Sequence, residues 1–187
     1  MRAVIPGSMG TRSWVGAFEA ATGNLVWRTF TIPAPGEPGS ETWKDKHNAW
    51  RIGGASVWQT ASYDPATNLL YYGTGDAFPS YDPEFRPGDN LYTDSLLALD
   101  ADSGKLKWYF QFTPHDTHDW DATEIPVLME TTIRGQKRKV VAMANRNAFY
   151  YVLDRATGEF LSGGEYAKQT WARGLDDRGK PMVIPGT

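Results

Sequence analysis

Alternating apolar and polar residues recur along the chain in four similar units, each made of two short runs separated by a turn. The units are WVGAFEAATGNLVWRTF from Trp14, ASYDPATNLLYYGTG from Ala61, SLLALDADSGKLKWYFQF from Ser95 and AFYYVLDRATGEFLSG from Ala148. A period of two is typical of β-strands that bury one face. The pattern therefore predicts one β-hairpin unit used four times.

The turns of these units carry glycine where a tight hairpin needs a positive φ. They read Ala-Thr-Gly at 21–23, Asp-Ser-Gly at 102–104 and Ala-Thr-Gly at 156–158. The units start at irregular intervals of roughly 35 to 55 residues, which suits the four-stranded blades of a β-propeller with variable loops. Helical periodicity is hard to find in the chain. We therefore predict an all-β fold.

Composition and charge narrow the class of protein. The chain has 187 residues, enough for a sizeable core, with 8 Trp, 9 Tyr and 8 Phe, and its net charge of -3 argues against a nucleic acid or an acidic membrane surface as partner. The basic run RGQKRK at 134–139 is most simply a solvated hairpin tip. No apolar window reaches the roughly 20 residues of a membrane span. The N-terminus has no apolar segment that resembles a signal peptide, so if the whole protein is exported, its signal lies upstream. Cysteine is absent, which excludes disulfides and thiolate metal sites.

The stretch TPHDTHDWDATE at 113–124 is the densest group of candidate chemistry. It holds two histidines and three aspartates: His115, Asp116, His118, Asp119 and Asp121. Carboxylates and imidazoles packed this closely are costly to bury unless a cation or a substrate proton lies among them. The alternative is a polar surface loop in which the aspartates cap their own backbone.

Within that stretch, Asp119 and Asp121 have alternate spacing. In an extended segment their side chains would lie on the same side, where two carboxylates repel unless a cation joins them or one is protonated. This favours a metal site, although aspartates are common in loops. The histidine pair suggests zinc more weakly, because a third ligand at a zinc-like spacing is missing.

Two further residues, Trp58 and Arg146, have both a structural and a functional interpretation. Trp58 follows the glycine pair at 53–54 and is either a core aromatic or a flat platform for a planar ligand. Arg146, just before a predicted strand, is either a surface salt-bridge partner or a fork of donors for an anionic or quinonoid oxygen. Ser8 is most simply a turn serine.

Six blocks follow one another along almost the whole chain. They are GTRSWVGAFEAATGNLVWRTFT, PAPGEPGSETWKD, GGASVWQTASYDPATNLLYYGTGD, RPGDNLYTDSLLALDADSGKLKW, TPHDTHDWD and NRNAFYYVLDRATGEF. Their order resembles the pyrroloquinoline-quinone (PQQ) dependent alcohol dehydrogenases, the methanol and ethanol dehydrogenase group. The resemblance implies an eight-bladed quinoprotein propeller, of which residues 1–187 would form about four blades, a partial single domain that binds PQQ. Because the edges of such a half would be unpaired strands, we expect a fragment.

The resemblance also implies roles for individual residues. Asp119 matches the catalytic base of the family, and Asp121 resembles the extra carboxylate of lanthanide-using members, where calcium-using members typically have a small residue. Asp76 falls where the family usually has a metal-ligating Asn. The PQQ-binding positions are matched by Trp58, which would stack under the ring, by Ser56 nearby, and by Arg146, which would reach the quinone oxygens.

Ser8 is the main departure from the family pattern. It stands where the family has a metal-ligating glutamate that also touches PQQ, and Asp76 in place of Asn is one way of restoring that charge. The cysteine pair that covers the other PQQ face in many members would lie upstream.

The resemblance implies an enzyme that oxidises a primary alcohol to an aldehyde with PQQ and a calcium or lanthanide ion. A cytochrome c as electron acceptor and a periplasmic location follow from it as well; the identity of the alcohol does not. Two alternatives stay open. One is a non-catalytic propeller scaffold of the bacterial envelope, favoured by Ser8; the other is a sugar-oxidising or membrane-bound quinoprotein.

Overall fold

The protein is described by a computed structural model that covers residues 2–3 and 12–187. This part of the chain folds into β-strands and two single-turn 3-10 helices, Ser40–Thr42 and Ala49–Arg51. The strands are β1 (Arg2–Ala3), β2 (Trp14–Phe18), β3 (Leu25–Phe30), β4 (Ser62–Asp64), β5 (Leu69–Gly73), β6 (Ser95–Asp100), β7 (Leu106–Gln111), β8 (Val127–Ile133), β9 (Gln136–Ala144), β10 (Phe149–Asp154), β11 (Phe160–Glu165), β12 (Ala172–Leu175) and β13 (Pro181–Val183). The all-β prediction is confirmed. No described helix has the length and apolarity needed to cross a membrane.

The strands form four antiparallel sheets in which neighbours in the chain are neighbours in the sheet. Their orders are β1-β2-β3, β4-β5-β6-β7, β8-β9-β10-β11 and β12-β13. All four predicted units are hairpins, namely β2–β3, β4–β5, β6–β7 and β10–β11. The second and third units belong to the same sheet, since β5 pairs with β6. The unit is therefore half a sheet, which explains its irregular spacing.

The predicted turn glycines have the expected backbone conformation. Gly23, Gly104 and Gly158 have φ values of 74°, 69° and 76°. In two of these turns the preceding aspartate accepts backbone N–H groups: Asp100 from Ser103, and Asp154 from Ala156 and Thr157. The hairpins are thus closed by local hydrogen bonds as well as by glycine. The tip of the RGQKRK run is also a turn, at Arg134 and Gly135, although the rest of the run lies in β9.

The core lies between successive sheets. Strand β6 is buried on both faces, with Leu96 and Ala98 in one apolar cluster and Leu97 and Leu99 in another. This is why its sequence is continuously apolar. The first cluster joins the second and third sheets, and the other joins the first and second.

Indole rings of one sheet pack on the turn glycines of the next. The ring of Trp27 in β3 lies where a Cβ on Gly104 would be 2.3 Å from its Cε3 atom, and its N–H donates to the carbonyl of Ala101 at 3.0 Å. Trp108 in β7 lies in the same way on Gly158. The absence of a side chain at these glycines is therefore a condition for the packing of one sheet on another.

Candidate functional site

The candidate site begins where β5 ends. The segment 74–77 continues β5 and bonds to several parts of the chain. Gly75 N–H donates to the carbonyl of Ser56 at 2.8 Å, and its carbonyl accepts from Asp94 N–H at 2.9 Å. Ala122 N–H donates to the carbonyl of Thr74 at 3.0 Å. These bonds bring segments 54–58, 74–77 and 119–124 to one place.

Three carboxylates converge there. One oxygen each from Asp76, Asp119 and Asp121 lies within 4.8 Å of the others, and Asp76 N–H donates to Asp121 Oδ1 at 3.1 Å. The sequence predicted that Asp119 and Asp121 would lie on one side because of an extended backbone. That reason is wrong, since their φ values are 61° and 46°, in the left-handed region. The convergence comes instead from a tightly turned loop.

The environment opposes ionisation of two of these groups. Burial, with smaller contributions from the charges of Asp121, Asp119 and Asp116, raises the pKa of Asp76 to about 7. Burial also raises the pKa of Asp121. Asp76 Oδ2 is buried without a hydrogen-bond partner among the described residues. A hard cation would relieve both the repulsion and the unsatisfied oxygen, so the donor set fits a metal that prefers oxygen ligands.

Arg146 reaches the same cluster. Its Nη1 lies 2.6 Å from Asp121 Oδ2, and its backbone N–H donates to Glu124 Oε1 at 3.2 Å. Its side chain is 54% exposed, so part of the guanidinium still faces solvent. The salt-bridge interpretation is confirmed for Asp121. The contact of Arg146 with an anionic or quinonoid oxygen stays a prediction.

Trp58 stands beside the carboxylates. Its side chain is 55% exposed, so the core alternative is wrong. A Cβ on Gly75 would lie 2.8 Å from the Trp58 ring and 2.7 Å from Asp121 Oδ1, which shows how closely the indole and the acid cluster meet. Ser56 lies at the base of this arrangement, with its Oγ 3.3 Å from Ser13 Oγ. An exposed indole and a guanidinium that both lie beside Asp121 suit a flat, partly anionic ligand.

The histidines of the 113–124 stretch are placed elsewhere. His115 Nδ1 lies 2.8 Å from the Gly88 carbonyl, and His118 stacks on Trp120 with ring centroids 4.0 Å apart. Among the described residues, neither histidine belongs to the converging group. Asp116 accepts the N–H groups of His118 and Trp120, so the self-capping interpretation applies to Asp116.

Sequence reasoning missed several neighbours of the site. Tyr81 Oη donates to Asp119 Oδ2 at 3.1 Å, and Glu124 holds the Arg146 backbone. Arg86 is fully buried and donates to the carbonyls of Pro79, Ser80 and Asp116, tying two loops together. These residues lie in loops without periodicity, and their contacts span up to 38 positions, so no local pattern predicts them. The position predicted for Ser8 lies outside the described residues, and its role stays a prediction.

Comparison with known proteins gives a consistent result. The family described as glucose/ethanol/alcohol dehydrogenase, beta-propeller domain, abbreviated PQQ, matches residues 6–166. The chain is 41% identical to quinohemoprotein alcohol dehydrogenase ADH IIB of Pseudomonas putida over 95% of its own length and 27% of that protein. It thus spans about a quarter of the length of the curated relatives it matches.

Solved structures agree with the fold. The crystal structure of quinohemoprotein alcohol dehydrogenase from Comamonas testosteroni superposes with a TM-score of 0.89 at 37% identity, covering 95% of this chain and 28% of that one. A europium-containing methanol dehydrogenase superposes with a TM-score of 0.89 at 32% identity, covering 98% of this chain and 35% of that one. The predicted fold class, a fragment of a β-propeller, is confirmed.

Proposed function

The chain belongs to the PQQ family of glucose, ethanol and alcohol dehydrogenase β-propellers, and from this premise we propose that the complete protein is a quinoprotein alcohol dehydrogenase. It oxidises a primary alcohol to an aldehyde with PQQ and a calcium or lanthanide ion. The observation that carries the proposal is the convergence of Asp76, Asp119 and Asp121 beside the exposed ring of Trp58.

The residues fit both groups. Asp76 and Asp121, with Asp119, offer hard carboxylate oxygens to the cation, and Asp76 Oδ2 lacks another partner in the described chain. Trp58 offers an exposed face for the PQQ ring, with Arg146 as donor to its oxygens and Ser56 nearby. When bound, PQQ supplies a two-electron acceptor for the carbinol hydride, and the cation supplies Lewis acidity.

Asp119 is the base in this mechanism. It is the most exposed of the three carboxylates, half-buried where Asp76 and Asp121 are buried, and is therefore the one that an alcohol can reach. It accepts the hydroxyl proton as the alcohol becomes an aldehyde. Arg146 neutralises Asp121 and so reduces the repulsion around Asp119.

The finer proposal is a preference for a lanthanide. Three carboxylates converge on one point, and Asp121 is the one that resembles the extra carboxylate of lanthanide-using members, which supports a trivalent ion. The likeness to a europium-containing methanol dehydrogenase supports this choice. A cytochrome c as electron acceptor and a periplasmic location are proposed from the family alone.

The test uses the complete polypeptide, reconstituted with PQQ and either La³⁺ or Ca²⁺ and assayed with a primary alcohol and an artificial acceptor. We expect activity with La³⁺ and little with Ca²⁺, and we expect Asp121→Ala to weaken La³⁺ activation. Asp119→Ala should lower kcat at least a hundredfold, while Asp177→Ala, at an exposed turn far along the chain, serves as the control. Full activity with Ca²⁺ alone would contradict the lanthanide proposal.

A protein that shows neither alcohol oxidation nor tryptophan quenching by PQQ would instead be the non-catalytic scaffold. Substrate profiling separates the remaining alternative, a sugar-oxidising quinoprotein, because the residues above line the cofactor and the metal more than the substrate.

A further inference from the structure

Tyr81 contacts the acid cluster from a loop that the function proposed above does not use. It follows Asp76 by five positions and is 72% exposed. Its Oη donates a hydrogen bond to Asp119 Oδ2 at 3.1 Å. An exposed side chain contributes little to the core, so the contact with Asp119 indicates a role for Tyr81 in the site.

Two of the three carboxylates are oriented by different donors. Asp121 is held by the Asp76 N–H on one oxygen and by the Arg146 guanidinium on the other. Asp119 is held by the neutral hydroxyl of Tyr81. A phenol fixes the direction of a carboxylate without adding a positive charge, so the carboxylate keeps its full negative charge for a cation or a proton.

The state of the phenol suits this task. A tyrosine hydroxyl is protonated through the neutral range and so acts as a donor to Asp119. The loop that carries it is anchored, since the buried Arg86 binds the carbonyls of Pro79 and Ser80 just before it.

We propose that Tyr81 is a positioning residue that holds the Asp119 carboxylate in the orientation in which it joins Asp76 and Asp121. This inference rests on the proposed function for its consequence in alcohol oxidation. Its consequence for cation binding can be measured without any turnover.

The chain offers a matched control. Tyr63 is 49% exposed, and its Oη donates to Asn68 Oδ1 at 2.9 Å, away from the acid cluster. Tyr81→Phe and Tyr63→Phe therefore remove the same atom and the same kind of hydrogen bond from exposed rings. Because both rings are retained at the surface, neither substitution should prevent folding.

The probe is Tb³⁺, whose luminescence is excited through neighbouring aromatic rings, titrated into the complete polypeptide. We expect Tyr81→Phe to weaken Tb³⁺ binding by about three- to tenfold, the range set by the net contribution of a typical hydrogen bond at an exposed site. Tyr63→Phe should stay within about twofold of the unsubstituted protein. In the PQQ-loaded enzyme, Tyr81→Phe should lower kcat by about tenfold while the KM for the alcohol changes little, since orientation of the base is lost rather than substrate binding.

Two results separate this inference from the proposed function. If the unsubstituted protein oxidises alcohols and Tyr81→Phe matches Tyr63→Phe in Tb³⁺ affinity, the positioning role is overturned and the proposed function stands. If no alcohol is oxidised but Tyr81→Phe alone weakens Tb³⁺ binding, the proposed function fails and the role of Tyr81 in the site stands.

Discussion

Asp76 is a buried carboxylate at the end of β5 whose surroundings oppose its ionisation. Burial and the charges of Asp121, Asp119 and Asp116 raise its pKa to about 7. Between about pH 4 and pH 7 the folded chain therefore holds a proton that the unfolded chain has released. A carboxyl group whose pKa is higher in the folded chain than in the unfolded chain stabilises the fold. This stabilisation is complete at a pH below the unfolded-chain pKa and is lost as the pH rises through the folded-chain pKa.

We predict that the free energy of unfolding, measured with EDTA present, falls as pH rises from about 4 to 7. One group shifted this far accounts for up to roughly 4 kcal/mol of that change. Asp76→Asn places at this position the residue that the resemblance implies for the family and should flatten the pH dependence. Denaturant unfolding at a series of pH values measures it, and an unchanged slope in the Asn variant would contradict the assignment.

The single residues of the site were partly predictable. Motif positions identified Asp76, Asp119, Asp121, Trp58 and Arg146, which the structure brings together. The local geometry was not predictable, because non-glycine residues in the left-handed region, such as Asp119, are held there by their surroundings rather than by their own preference. Tyr81 was not predicted, because its partner Asp119 is 38 positions away and no local sequence pattern indicates such a hydrogen bond.

Among the elements, the hairpins were predictable and the sheets were less so. Alternation and turn glycines are local signals, and each predicted unit forms a hairpin. The pairing of β5 with β6 joins strands separated by a long loop, and no local sequence pattern predicts such non-local contacts. The hairpin β8–β9 lay outside the repeat, because most of β8 is exposed and its apolar pattern is weak.

The turn glycines of the hairpins allow a matched test of packing between sheets. Gly23 and Gly104 occupy equivalent turns with φ values of 74° and 69°, but a Cβ meets nothing within 4 Å at Gly23 and lies 2.3 Å from Trp27 Cε3 at Gly104. Gly23→Ala should cost about 1 to 2 kcal/mol for the left-handed backbone alone. Gly104→Ala should cost about 3 to 5 kcal/mol, because the indole must also move.

Urea unfolding of both variants, with tryptophan fluorescence as the signal, measures the difference. Equal losses in the two variants would show that the turn of β6–β7 does not fix the position of Trp27.

The described part of the chain forms four sheets in chain order. The residues of the site come from the connections between the first and second sheets and between the second and third, and from one loop each within the second and third sheets. The indole of Trp58 is still 55% exposed in this arrangement. A planar ligand would therefore be covered on one face only. Tight binding requires burial of most of a ligand's surface.

We accordingly predict that residues 1–187 alone bind PQQ weakly, with a dissociation constant well above the micromolar range. The complete polypeptide should bind PQQ far more tightly. Quenching of tryptophan fluorescence by PQQ compares the two, with Trp58→Phe in the complete polypeptide as the control for the source of the signal. Micromolar affinity of the 187-residue chain would contradict this expectation.

Two indole contacts between sheets point forward in the sequence: Trp27 rests on Gly104, and Trp108 on Gly158. During synthesis on the ribosome, each of these rings emerges dozens of residues before the glycine that receives it. The first sheet therefore acquires its cover only when the second has been made, and the second only when the third has followed. These two contacts therefore favour packing of each sheet on the one before it, in the order of translation.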